Sequence, residues 1–187
     1  LTKPYPCPGK CVFCPTEIKM PKSYLSNEPA VMRAILNDFD PYRQITMRLK
    51  ALKANGHKTD KVELIVIGGT WSSHTKQYKN WYIKRCFEAL NGKKSKSLAE
   101  AQKANEGAKH RCIGLTLETR PDFINQKEIL AMRKFGCTRV ELGIQHIDNK
   151  ILAYNKRGHT VERSIKAIRL LKEAGFKNIV TIDKTKD

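Results

Sequence analysis

The chain has 187 residues, 40% of them hydrophobic, and its 36 Lys and Arg against 18 Asp and Glu give a formal charge of +18. That is enough for one domain with a core and too little for two comfortable ones, and no apolar run reaches the length of a membrane span. The charge exceeds the ~2–8 that keeps a small domain soluble and points to a polyanionic partner, nucleic acid ahead of a membrane surface.

The bland reading of that charge is a set of lysines scattered over solvated faces, as Lys93, Lys94 and Lys96 are expected to be. Prolines break the stretch from Leu1 to Cys7, and no signal peptide is legible there. Six cysteines without a secretory signal predict a reducing, cytoplasmic setting and metal in preference to disulfides. A start at Leu1, not Met, reads as a piece of a longer protein.

The first informative stretch is Cys7-Pro8-Gly9-Lys10-Cys11-Val12-Phe13-Cys14, spaced C-x3-C-x2-C. Pro8, Gly9 and Pro15 keep it out of helix and strand, so three thiolates can wrap one small object. A closed zinc site takes four protein ligands, and a 4Fe–4S cluster ordinarily takes four cysteines. Three leave one iron open for a ligand that is not protein, as radical chemistry on S-adenosylmethionine requires, and the order of spacings matches the radical-SAM enzymes. A zinc knuckle borrowing a distant His or Cys, and a disulfide scaffold, are the competing readings.

Residues 15–27 read as irregular. A helix is predicted from Glu28 to about Asn37, and a second after the Asp40 cap and Pro41, with Ile45, Leu49 and Leu52 on one face and Asn55-Gly56 at its end. Val62 to Ile67 reads as a buried strand running into Gly68-Gly69. Tyr78, Trp81, Tyr82, Ile83, Phe87 and Leu90 give the next helix an apolar side, closed by Asn91-Gly92. Ser97 with Glu100, and Asn125 with Glu128, read as capping boxes. Further strands are predicted at Cys112–Leu117, Arg139–Ile144 and Asn178–Ile182, the last cut short by Lys184-Thr185-Lys186-Asp187. A helix capped by Thr160 carries Ile165, Ile168 and Leu171 and ends at Gly175. Strands alternating with helices predict an α/β fold with a parallel sheet, open or closed into a barrel, with its chemistry at the carboxyl ends of the strands.

Those ends hold the candidates. Gly68-Gly69-Thr70 lets a ligand approach the backbone, or is a plain turn. Glu118 can hold a ribose hydroxyl or an ammonium group, or simply pair with Arg120. Glu141 shares a strand face with Gly143 and Gln145 and must be functional or paired. His146 reads as a switch, a ligand or merely hydrogen-bonded, and Arg157-Gly158-His159 as a phosphate contact or a plain loop. Cys86, Cys112 and Cys137 read as small buried hydrophobes.

Several blocks together carry a resemblance: Pro6 to Pro15, Lys22-Ser23-Tyr24 with Glu28-Pro29, Met32-Arg33-Ala34, Asp40-Pro41-Tyr42, Gly68-Gly69-Thr70, Glu118-Thr119-Arg120-Pro121-Asp122, Thr138 to Gln145 and Arg157-Gly158-His159-Thr160. The chain resembles the radical-SAM domain of the Elongator catalytic subunit and its free-standing relatives, the tRNA carboxymethyluridine synthases. The resemblance implies a partial radical-SAM (β/α) TIM-like barrel over residues 1–187, without the family's first strand, last barrel units and C-terminal acetyltransferase domain. It implies a 4Fe–4S cluster on Cys7, Cys11 and Cys14, and S-adenosylmethionine cleaved to a 5′-deoxyadenosyl radical. Gly68 and Gly69 would line the cofactor's methionine end, with Thr70, Glu118 and Gln145 as further cofactor or active-site contacts. Acetyl-coenzyme A would be the acetyl source, and the wobble uridine in the tRNA anticodon stem-loop the substrate, forming 5-carboxymethyluridine. A basic, metal-stapled RNA-binding module without catalysis, and an inactive remnant, are the alternatives.

Overall fold

The structure, a computed structural model, describes residues 1–182. The expected stop at residues 184–187 lies outside them. Strands β1 (Lys61–Val66), β2 (Arg111–Thr119), β3 (Arg139–Gln145) and β4 (Lys177–Ile182) form one parallel sheet in that spatial order. The helices are α1 (Pro29–Ile35), α2 (Pro41–Ala54), α3 (Lys76–Asn91), α4 (Leu98–Asn105), α5 (Gln126–Lys134), α6 (Asn149–Tyr154) and α7 (Val161–Glu173). A doubly wound sheet reverses its strand order at a switch point. Among the described strands the order never reverses, which is the arrangement of a (β/α) barrel.

The predicted caps form. Asp40 accepts the Arg43 N–H, Ser97 that of Glu100, Asn125 that of Glu128 and Thr160 that of Arg163. Each satisfies one of the donors a helix start leaves orphaned. Neither box closes in the expected way. The Glu128 carboxylate turns away to Lys79 Nζ at 3.2 Å, and Glu100 reaches the Lys96 N–H, one residue before the cap.

Alternation along the strands sorts two faces. Leu115, Leu117, Val140, Leu142 and Ile144 pack against the helices with Ile83, Phe87, Met132 and Leu171 to make the core. On the opposite face stand Glu118, Glu141, Gly143 and Gln145, with Glu118 and Glu141 directly paired in register.

Two expectations need correction. β1 is not a buried strand: Glu63 is exposed, Ile65 is 56% exposed, and Val66 alone among its residues is fully buried. Apolar composition suggested burial on both faces, but β1 lies at the edge of the described sheet with one face packed. Ile165 does not join the core either and is 53% exposed. The residues of α7 that turn inward are Ser164, Ala167 and Leu171, an i, i+3, i+7 stripe that passes Ile165 by. The short helix α6 was not foreseen.

Candidate active site

Residues before α1 form no regular element, yet they are tied to the sheet. The Thr2 N–H donates to Ile67 O at 2.9 Å and its hydroxyl to Gly68 O at 3.2 Å. Further on, the Val12 N–H donates to Asn155 O at 3.2 Å, at the end of α6, and the Ser23 N–H to Pro15 O at 3.1 Å. These bonds swing the cysteine loop across the carboxyl ends of β1, β2 and β3.

The three thiols of that loop border one cavity of about 70 Å³, with Gly69, Thr70, Glu118 and Gln145 on its other walls. Residues from four distant stretches of the chain therefore meet at one cavity. Larger recesses of about 490 Å³ lie at the amino ends of β2 and β3 and between α3 and α5. They contain none of these groups, so donor chemistry and not size marks the site.

Each loop sulfur has its own hydrogen-bonding company. Cys7 Sγ accepts from the Gly9 N–H at 3.4 Å and lies 3.8 Å from the Thr70 hydroxyl. Cys14 Sγ is 2.6 Å from the Ser23 hydroxyl. Cys11 Sγ accepts from Arg157 Nη1 at 3.2 Å and from Arg120 Nη1 at 3.9 Å.

The resemblance puts Gly68 beside Gly69 at the cofactor's methionine end. The space where a Gly68 Cβ would stand is taken by Thr2 Oγ1, 2.1 Å away, so Gly68 fits the loop anchor and does not line the cavity. Gly69 does line it: its φ is +89°, and an added Cβ would press on Lys22 O at 3.3 Å. Gln145 holds φ +68° at the end of β3, a left-handed conformation unusual for a side-chain-bearing residue and typical of functional sites.

Glu118 does not pair with Arg120. It accepts the Tyr24 hydroxyl at 2.9 Å, while Arg120 forks onto Asp122 at 2.9 and 3.1 Å. Burial pushes the Glu118 carboxyl pKa up, helped by the charge of Glu141 and opposed by the Tyr24 hydroxyl and the Gly68 and Gly69 backbone. Glu141 itself accepts the Thr181 hydroxyl at 3.3 Å. His146 accepts the Asp148 N–H at 3.0 Å, the plainest of its three readings, and is outside the cavity.

The raised Glu118 pKa has a measurable sign. The folded chain binds this proton more tightly than the unfolded one, so the group's contribution is most favourable below the ordinary carboxylate pKa. It is lost as pH rises toward the raised folded value. Glu118→Gln removes the titration and keeps an acceptor for Tyr24. The cofactor-free variant is expected to gain stability over the parent at about pH 8 and not at about pH 4, read by urea unfolding. An equal change at both pH values would contradict this account of Glu118.

Three residues that matter here, Tyr24, Arg120 and Arg157, are not among the expected site residues. Tyr24 looked like loop. Arg120 reaches Cys11 across 109 positions and Arg157 across 146. The sequence places Arg120 at the end of a strand and Arg157 just before a helix start, but nothing in it ties either to a sulfur.

A cysteine loop laid over the carboxyl ends of parallel strands in barrel order defines a class of cluster-dependent enzyme. The chain matches the Radical SAM superfamily over residues 5–184 and belongs to it. It is 51% identical over 183 residues to the tRNA uridine(34) acetyltransferase of Methanocaldococcus jannaschii, a match covering 95% of this chain and 34% of that protein. It is 37% identical over 188 residues to Elongator complex protein 3 of Homo sapiens, covering 95% and 34%. The archaeal Methanocaldococcus infernus Elp3, solved with an N-terminal deletion, superposes with a TM-score of 0.78 at 52% identity, over 80% of this chain and 35% of that one. The chain thus spans about a third of the length of the curated relatives it matches.

Membership implies a 4Fe–4S cluster and S-adenosylmethionine, and the residues present fit both. A single zinc ion needs its ligands converging within about 2.3 Å of one point. Among the described residues no three His, Cys, Asp or Glu side chains converge in that way. A 4Fe–4S cluster would take cysteine thiolates as its protein ligands, and three cysteines border this one cavity. Glycine backbone and a carboxylate stand opposite, as an amino-acid-bearing cofactor needs. Among the described residues no helix is long and apolar enough to cross a membrane.

Proposed function

We propose that this chain is the cluster- and cofactor-binding core of a radical enzyme that modifies the wobble uridine of tRNA. The observation that carries the reading is the gathering of Cys7, Cys11 and Cys14 around one cavity with Gly69, Thr70, Glu118 and Gln145. Similarity to the tRNA uridine(34) acetyltransferases and to Elongator complex protein 3 supports the substrate. The charge of +18 suits a polyanionic partner.

In this reading Cys7, Cys11 and Cys14 hold a 4Fe–4S cluster whose remaining iron is open to S-adenosylmethionine. Bound there, those groups would supply one-electron radical chemistry. The chain's own residues bind and orient. Gly69 gives bare backbone for close approach, and Glu118 offers a carboxylate to an ammonium group or a ribose hydroxyl. Thr70 and Gln145 add polar contacts at the rim. Residues 1–187 form one radical-SAM core domain. At the finest level, acetyl-coenzyme A donates the acetyl group, 5-carboxymethyluridine is the product, and the anticodon stem-loop is the part of tRNA engaged.

The test is anaerobic reduction of the iron-loaded chain with S-adenosylmethionine and tRNA. Release of 5′-deoxyadenosine is expected. Tight zinc with no cofactor cleavage would instead favour a metal-stapled RNA-binding module, and failure to hold any metal an inactive remnant.

Gly69→Ala probes the cofactor contact separately. A side chain at φ +89° strains the fold by about 1–3 kcal/mol, and its Cβ presses on Lys22 O at 3.3 Å in the wall of the cavity. S-adenosylmethionine affinity is expected to fall about tenfold or more, some 1.4 kcal/mol, with iron content unchanged. Unchanged affinity in a folded variant would make the glycine pair only a turn.

A further inference from the structure

We infer that Arg157 sets the reduction potential of the cluster through its hydrogen bond to Cys11 Sγ. This rests on the proposal that Cys11 is a cluster ligand. Arg157 would then be a positioning residue, acting through that sulfur.

The three sulfurs are not treated alike. The hydrogen-bond partners of Cys7 and Cys14 are neutral, the Gly9 N–H, the Thr70 hydroxyl and the Ser23 hydroxyl, and the Arg120 guanidinium acts on Cys7 only through its charge. Cys11 faces guanidinium groups, Arg157 Nη1 at 3.2 Å and Arg120 Nη1 at 3.9 Å. Arg120 is neutralised by its fork onto Asp122. Arg157 is not. It is only 7% exposed, and among the described residues no carboxylate lies within ion-pair distance of it. Its Nη2 donates to Gly143 O at 2.6 Å, and its Nε is buried without a partner. Phe13 of the cysteine loop stands 5.7 Å from it, ring toward cation.

A buried cation without an anion is costly. The sulfur of Cys11 is the group placed to supply the missing negative charge, and a metal-bound thiolate supplies it permanently.

The placement is also rigid. Arg120 Nη2 donates to the Arg157 carbonyl oxygen, locking the two arginines together. Gly9 leaves the gap Arg120 passes through, since a Cβ there would sit 2.1 Å from Arg120 Nη1.

Reduction takes one electron from an external one-electron donor and adds one negative charge to the cluster and its thiolates. A fixed cation on one of those sulfurs favours the reduced state over the oxidised state. Hydrogen bonds to sulfur and net charge are known levers on such potentials. Arg157 should therefore make the cluster easier to reduce.

The experiment is a potentiometric titration of the reconstituted full chain, followed by electron paramagnetic resonance. Arg157→Gln is expected to lower the reduced-to-oxidised ratio at a fixed potential about tenfold, a midpoint shift of about 59 mV to the negative side. Arg163→Gln is the control. Arg163 Nη2 also grips carbonyls, those of Asp122 at 3.1 Å and Ile124 at 2.7 Å, but touches no sulfur. Its midpoint should match the parent. A parent-like midpoint in iron-loaded Arg157→Gln would overturn the inference and leave the cluster assignment standing.

Should Arg157→Gln not retain iron, the unmutated chain decides. Grown with arginine labelled with nitrogen-15 in the guanidino group, its reduced cluster is expected to show nitrogen-15 coupling in pulsed resonance spectra. Absence of that coupling would overturn the inference. Absence of a cluster in the unmutated chain would overturn the ligand proposal itself.

Discussion

Cys7→Ala, Cys11→Ala and Cys14→Ala are each expected to abolish iron and sulfide loading. The loss should be close to complete in every case, because a cluster held by three thiolates already lacks a fourth and two do not retain it. The other cysteines provide the contrast. Cys86 and Cys137 are buried, and burial pushes each thiol pKa up to about 12. Burial pushes Cys112 up to about 11. All three stay protonated and packed at neutral pH, as small hydrophobes do. Cys112 Sγ donates to Gly114 O at 3.3 Å and Cys137 Sγ to Arg139 O at 3.0 Å, bonds that serine can keep. Cys112→Ser, Cys137→Ser and Cys86→Ala should retain the parent's iron content, measured by metal and acid-labile sulfide analysis. Loss of iron from one of these three alone would mean that the ligands are misassigned.

The second large effect concerns tRNA. With 36 Lys and Arg in the chain, binding should rest on phosphate contacts and release counterions. A protein making about 6–10 phosphate contacts loses on the order of 10³–10⁵ in affinity between roughly 50 and 200 mM salt. The expected loss here is at the gentle end of that range or below it, since the chain spans about a third of its relatives' length. Folded tRNA should bind more tightly than duplex DNA of similar charge. Equal binding of both at every salt concentration would make the basic surface generic. No binding at low salt would reduce the +18 to solvated side chains.

Local chemistry was legible where one residue type dictates one conformation. Asp40-Pro41 and Thr160 announce helix starts because their side chains satisfy N–H groups that the helix cannot. Asn91-Gly92 announces an end, with Gly92 at φ +68°. That Gly69, Thr70, Glu118 and Gln145 stand near one another was legible because parallel α/β folds put their strand ends together, and the cysteine loop stood out by its spacing alone. What depended on packing was not. Apolar side chains at Ile65 and Ile165 do not reveal that one lies on an edge strand and the other faces solvent. Gly68 is glycine because Thr2 occupies its side-chain space, a contact 66 positions apart in the chain. Arg120 chose Asp122 over Glu118, which its turn geometry decides and its neighbours in sequence do not.

The central claim is that three cysteines hold a cluster with one iron left for S-adenosylmethionine. Anaerobic reconstitution with iron and sulfide, followed by resonance spectra of the reduced protein with and without S-adenosylmethionine, addresses it directly. The account predicts about four irons per chain, a reduced-cluster signal, and a change in that signal when S-adenosylmethionine is added. A four-iron cluster whose spectrum ignores S-adenosylmethionine, or a chain that takes up one zinc ion in its place, would contradict it.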